Sequence, residues 1–140
     1  MRRGYQKGSL KIHRASWVGQ WWEKLAPVTD VLLPMVYPSH YPHGSFNIPS
    51  PNAAPYDVLK IALCKAHERD QKIGVTKPEH VRPYLQAFTL GSPHYGPEQI
   101  NAQKKATYDC GYDGWVLWSP GSKYEEFLPA LEKTLVSRKK

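Results

Sequence analysis

Residues 30–46 read Asp-Val-Leu-Leu-Pro-Met-Val-Tyr-Pro-Ser-His-Tyr-Pro-His-Gly-Ser-Phe. The first half is a short apolar run of the kind that forms a strand buried on both faces. The second half is a loop of Pro, Ser, His and Tyr. A strand that runs into such a loop delivers aromatic and hydrogen-bonding side chains to a mouth. Two later segments repeat the pattern, at 82–89 and 115–120. The chain therefore reads as a set of strand-to-loop junctions converging on one polar, aromatic pocket.

Working outward, the spacing predicts a helix from Ser16, with Trp17, Trp21 and Leu25 on one stripe packed against a sheet and Pro27 as its end. The first strand is Val31–Tyr37, with Pro34 marking an irregularity. A proline-rich loop over 38–55 follows. Its length inside a compact domain points to function. A second helix spans Tyr56–Gln71, with Pro55 at its first turn and Gly74 near its end. The second strand is Val81–Phe88. A loop over Thr89–Gly96 leads to a third helix, started by Gly96-Pro97-Glu98 and stopped by Gly111. The third strand is Trp115–Trp118. A capping box at Ser122–Glu125 predicts a fourth helix, which Pro129 divides. Helices alternating with strands imply a parallel α/β sheet, with the site on the loops after the strands. No glycine-rich phosphate loop follows any strand, which weakens a nucleotide-binding reading.

The 140 residues fit one domain. Formal net charge is +7, but Arg2, Arg3, Lys7, Lys11, Arg14 and the terminal Arg138-Lys139-Lys140 account for it. The chain divides into a basic N-terminal segment over 1–14, a near-neutral body over 15–137 and a basic tail over 138–140. With no basic face through the body, nucleic acid is not an expected partner and is reachable only through the tails. No apolar run approaches the ~20 residues of a membrane helix, and the N-terminus has no apolar region resembling a signal peptide. Cys64 and Cys110 fall in different predicted helices without metal-type spacing, and read as free thiols packed like small apolar residues. His40 and His43 lie on a proline-broken loop that does not set two ligands on one face, so no metal is expected. No cofactor is expected either.

Several separated motifs, in order, resemble the DUF4015 family of glycoside hydrolases. They are Pro34-Met-Val-Tyr-Pro-Ser-His-Tyr41, Pro55-Tyr56, Arg82-Pro-Tyr-Leu-Gln-Ala-Phe88, Gln103 and Gly114-Trp-Val-Leu-Trp118. The resemblance covers roughly residues 16–128 and implies a glycosidase-type (β/α)8 barrel. A whole barrel takes about 250 residues. The resemblance therefore implies a partial TIM barrel: the C-terminal portion, with the three strands as the sixth to eighth. It also implies a polysaccharide ligand and an exported or envelope setting for a full-length protein.

Glycoside hydrolysis needs two carboxyl groups flanking the bond. None stands at a predicted strand end. Asp30 and Asp113 precede their strands, and Glu98, Glu125 and Glu126 sit in helix first turns as caps and surface acids. The catalytic acid is therefore expected from an absent N-terminal half, and the chain alone is expected to be inactive. The substrate-binding candidates are Tyr37, His40, Tyr41, Gln86 and Trp118: aromatic faces for sugar rings, with polar groups for hydroxyls. Core packing is the competing role for Tyr37 and Trp118. Arg82, at the start of its strand, is expected to pair with a core acid. A half-barrel leaves open sheet edges and an exposed apolar face, so self-association or a partner supplying the remaining strands is expected. Two other classes compete: a non-catalytic carbohydrate-binding or scaffold protein, and a small basic nucleic-acid binder.

Overall fold

The structure, a computed structural model, describes residues 20–131. The two basic tails, Trp17 and the predicted start of the first helix at Ser16 lie outside the described residues. The elements in order are α1 (Trp22–Leu25), α2 (Pro55–Lys72), β1 (Tyr84–Gln86), α3 (Pro97–Asp109) and β2 (Val116–Trp118), joined by 3-10 turns. β1 and β2 pair in parallel, with Tyr84 opposite Val116, Leu85 opposite Leu117 and Gln86 opposite Trp118. The chain is thus mixed α/β with a parallel sheet, as the alternation of helix and strand predicts.

The first predicted strand is reduced to two isolated parallel bridges, Leu32 to Val81 and Met35 to Tyr84. The Leu32 N–H donates to the His80 carbonyl at 2.7 Å, and the Tyr84 N–H donates to the Pro34 carbonyl at 2.9 Å. Pro34 has no N–H to donate the rung between them, so the ladder breaks there. Residues in register share a face. Val36, Leu85 and Leu117 lie on the helix side, and Leu85 is fully buried. Leu33, Met35 and Trp118 lie on the other side and are 42%, 72% and 44% exposed.

α2 forms where Pro55 fills a first-turn position and Val58, Leu59, Leu63 and Ala66 recur on one buried face. Each of the buried leucines is worth about 1.5–3 kcal/mol by transfer. Gly74, at φ +77°, ends the helix in the left-handed region, and the Val75 N–H returns to the Asp70 carbonyl at 2.9 Å. α3 starts at Pro97, and the Gly96 N–H is taken up by the Gln99 side chain at 2.9 Å. Gly111, at φ +90°, ends it; there an added Cβ would sit 3.3 Å from the His67 ring. α2 and α3 pack on each other against the sheet, with Tyr112 filling the gap beneath them.

The cysteines are not free thiols. Cys64 on α2 and Cys110 just past α3 form a disulfide, with Cα atoms 4.8 Å apart. Two helices that pack side by side bring together cysteines 46 residues apart, which spacing alone does not reveal. The fourth helix is also different. Ser122 takes φ +52° and caps nothing, and residues Glu125–Ala130 form a 3-10 segment after Tyr124. Pro129 lacks the N–H that an α-helix would need there. Pro27 does not simply end α1 but sits in the 3-10 turn Ala26–Val28.

The tryptophans of α1 do not simply cover the sheet. Trp21 is 37% exposed, while the Trp22 indole N–H donates to Asp70 Oδ1 of α2 at 2.6 Å. The Tyr112 hydroxyl donates to the other Asp70 oxygen at 2.9 Å. Asp70 is 2% exposed, and these bonds offset the cost of burying it. Among the described residues, Arg82 has no core acid as a partner. It is exposed, and its side chain lies over Gly114, where a Cβ would meet the guanidinium Nε at 3.0 Å.

Removing the disulfide by the double substitution Cys64→Ser, Cys110→Ser is expected to lower stability by about 2–4 kcal/mol, because it releases a loop of this length in the unfolded chain. Denaturant melts of the two proteins measure it. A loss below about 1 kcal/mol would show that helix packing alone holds α2 against α3.

Candidate functional site

The three strand segments run in one direction, so their loops open at the same end. Tyr37 enters this mouth directly after the first segment and is 4% exposed. Its ring stands edge-on to His40, with centroids 5.1 Å apart, and to Phe88 at 5.5 Å. Its hydroxyl is buried, with no hydrogen-bond partner among the described residues. Burial, with the phenols of Tyr84 and Tyr124 nearby, pushes the Tyr37 pKa up to about 12. His40 is exposed on the outer side of the cluster, its ring 6.3 Å from Phe88. Tyr41 is half-buried against Phe46 at 5.3 Å, and burial raises its pKa.

Gln86 sits deeper than these. It is fully buried, and its side chain is engaged with the backbone. Its Oε1 accepts from the Ser39 N–H at 3.0 Å, and its Nε2 donates to the Phe88 carbonyl at 3.1 Å. The carboxamide that the sequence assigns to sugar hydroxyls therefore joins the two mouth loops. Behind it, Gln103 of α3 bonds the Gln86 backbone twice. It accepts the Gln86 N–H at 2.8 Å and donates to the Gln86 carbonyl at 3.1 Å. That N–H faces the side where the first strand has already turned away, so the Gln103 amide replaces the next rung of the ladder.

Trp118 ends β2 in register with Gln86 and on the same face. It is 44% exposed, with the Tyr84 ring edge-on at 6.1 Å. The predicted residues thus divide. Tyr37, His40 and Phe88 make one aromatic cluster, with Gln86 bracing the loops around it. Trp118 and Tyr84 make a second contact further along the sheet, and Tyr41 lies with Phe46.

A group that the sequence reading missed lies beside them. Thr89, directly after the β1 loop residues, bonds His94 Nδ1 through its hydroxyl at 3.2 Å. The other ring nitrogen, Nε2, is in close contact with Glu126. The three line a cavity of about 420 Å3 together with Phe88, Ser119 and Phe127. Glu126 belongs to the first turn of its 3-10 segment, as a surface acid would, yet its carboxylate reaches the strand ends. Separations of 5 and 32 residues carry no local signal. His40 and His43 do not converge on a metal: His43 Nδ1 donates to the Pro49 carbonyl at 2.9 Å. Among the described residues, no cluster of three or more metal-ligating side chains occurs, and no helix is long and apolar enough to cross a membrane.

The fold and mouth describe an α/β domain whose strand ends present aromatic rings and hydrogen-bonding groups. The DUF4015 family model, described as "Putative glycosyl hydrolase domain", matches residues 8–124, and the chain belongs to that family. It is a glycoside hydrolase-like domain. No curated protein and no solved structure matches it.

Gln86→Ala is expected to destabilise the fold by about 1–3 kcal/mol, because it leaves the Ser39 N–H and the Phe88 carbonyl unpaired in a partly buried setting; urea titration measures the loss. Folding also holds the proton on Tyr37, so its contribution is full below the unfolded pKa of about 10 and is lost as pH rises through about 12. Stability should fall across that window, and Tyr37→Phe should flatten part of the fall in thermal melts.

Proposed function

We propose that this chain is the C-terminal portion of a glycosidase-type (β/α)8 barrel acting on polysaccharide. Tyr37, His40, Tyr41 and Trp118 line the substrate path, and Gln86 holds the loops that carry them. The observation that carries the reading is the family match, taken with a half-exposed Trp118 at a parallel strand end. An indole face at that place stacks on a sugar ring, and neighbouring hydroxyl and imidazole groups bond its hydroxyls. The Tyr37 hydroxyl, buried and without a partner among the described residues, orients an acid contributed by another segment. Catalysis requires that acid, since among the described residues Glu126, the carboxylate beside His94 at the strand ends, is already engaged by that ring. Further strands, from a partner or a second copy, cover the part of the sheet that exposes Leu33 and Met35. The Cys64–Cys110 disulfide supports an exported or envelope setting.

The test uses the purified chain. It should bind at least one polysaccharide of a broad panel in affinity electrophoresis, with binding weakened about tenfold or more by Trp118→Ala, equivalent to about 1.4 kcal/mol. It should sediment as more than a monomer and release no product from aryl glycosides. No binding to any glycan would remove the carbohydrate reading. Turnover that disappears in Glu126→Gln would show that the acid lies within this chain.

A further inference from the structure

The loop after β1 and the 3-10 segment Glu125–Ala130 meet over a chain of three side chains. Thr89 Oγ1 lies 3.2 Å from His94 Nδ1, and His94 Nε2 is in close contact with the Glu126 carboxylate. The fold anchors both ends of this chain. Tyr95, next to His94, is fully buried, and Phe127, next to Glu126, is buried as well. The Tyr95 N–H donates to Thr89 Oγ1 at 2.9 Å, which fixes how the threonine side chain is turned. The His94 and Glu126 side chains themselves stay more than half exposed, so water and a substrate reach them.

An ionised carboxylate only accepts, so Nε2 carries a hydrogen and donates it to Glu126. In the neutral ring Nδ1 is then an acceptor, and the donor facing it is the Thr89 hydroxyl. The order hydroxyl, imidazole, carboxylate is that of a nucleophile, its general base, and the acid that orients the base and stabilises the imidazolium. A tie that only fastened the loop to the 3-10 segment needs the His94–Glu126 contact, and no hydroxyl on the far nitrogen. The three groups also line one cavity of about 420 Å3, within the range of small-ligand sites, about 300–1,000 Å3. Phe88 and Phe127 give it an apolar wall for an acyl group. Lys123 lines it too, and supplies the cation that a developing oxyanion needs.

We propose that Thr89, His94 and Glu126 form an acyl-transfer site that hydrolyses esters of small acyl groups. Thr89 Oγ1 attacks the ester carbonyl carbon, and its proton passes to His94 Nδ1. The bond from that carbon to the alcohol oxygen breaks, and the alcohol leaves with the proton. Water then attacks the acyl-threonine. Its proton passes through Nδ1 to Thr89 Oγ1 as the carboxylic acid is released. One ester and one water give one acid and one alcohol, with no oxidant or reductant. Thr89 and His94 are the catalytic residues, and Glu126 is a positioning residue that acts through the ring. The proposal does not rest on the carbohydrate reading.

The experiment gives p-nitrophenyl acetate to the full chain. Release of p-nitrophenol is followed by absorbance, and acid-quenched samples are digested for peptide mass spectrometry. The wild-type chain should turn over repeatedly and carry an acetyl group on Thr89. Thr89→Ala should lose that adduct and about tenfold or more of kcat/KM, a modest loss for a site so open to water. Thr89→Ser, which still accepts the Tyr95 N–H, should keep both. Glu126→Gln should lower kcat with little change in KM, a split that a purely structural tie would not produce. Thermal melts establish that each variant is folded. If Thr89→Ala does not fold, the wild-type adduct and the Glu126→Gln split decide the question. No turnover by the wild-type chain would overturn the proposal. So would acetyl groups on lysines or histidines alone, or equal turnover in folded Thr89→Ala. Glycan binding and its loss in Trp118→Ala are measured separately, so either reading can fail while the other stands.

Discussion

The mouth depends on a chain of amide hydrogen bonds running from α3 through β1 to the loops. Gln103 bonds the Gln86 backbone on the side that the first strand has abandoned. Gln86 then reaches across to the Ser39 N–H and the Phe88 carbonyl. Both glutamines are fully buried. A buried amide is tolerated only when its donors and acceptors are met, so the loops cannot drift without leaving polar groups unpaired. This couples a helix, a strand and two functional loops in one network. It also explains why a strand interrupted by Pro34 can still deliver Tyr37 to a defined place.

A second fixed point holds the helices behind the sheet. Asp70 receives the Trp22 indole from α1 and the Tyr112 hydroxyl from the segment after α3. The Cys64–Cys110 bond locks α2 to α3 nearby. Burial and the hydrogen bond to Asp70 both raise the Tyr112 pKa, so the phenol keeps its proton and donates it. Outside this core, the bidentate pair of Arg69 with Glu23 holds the Glu23 carboxyl down to about 2. Both side chains are partly exposed, so that pair contributes about 1 kcal/mol at most. The rigid half of the molecule is thus the helical layer, and the chemistry lies on loops braced from it.

Two cavities at the same end differ in character. One is uncharged and walled by the proline-rich loop. The other holds the Thr89, His94 and Glu126 chain between Phe88 and Phe127. This separation of a neutral hydrogen-bonding cavity from an ionisable one is a feature of how the loops fold back, since neither set of residues is contiguous in the chain.

What the sequence determined by itself was whatever repeats locally. The apolar spacing of Val58, Leu59, Leu63 and Ala66, the helix signals at Pro55, Gly74, Pro97 and Gly111, and the apolar runs around Leu85 and Leu117 placed two helices and two strands. The motifs from Pro34 to Trp118 pointed to the family. Tertiary structure decided the rest, because the interactions involved span long separations. The cysteine pairing across 46 residues, the burial of Gln86 under Ser39 and Gln103, and the approach of Glu126 to His94 depend on helices packing side by side and loops closing over strand ends. A capping motif at Ser122 failed for the same reason: the turn after β2 holds that residue in a left-handed conformation. Local propensity contributes about a kilocalorie per residue at most for ordinary residues, while closure of the mouth engages several buried hydrogen bonds at once.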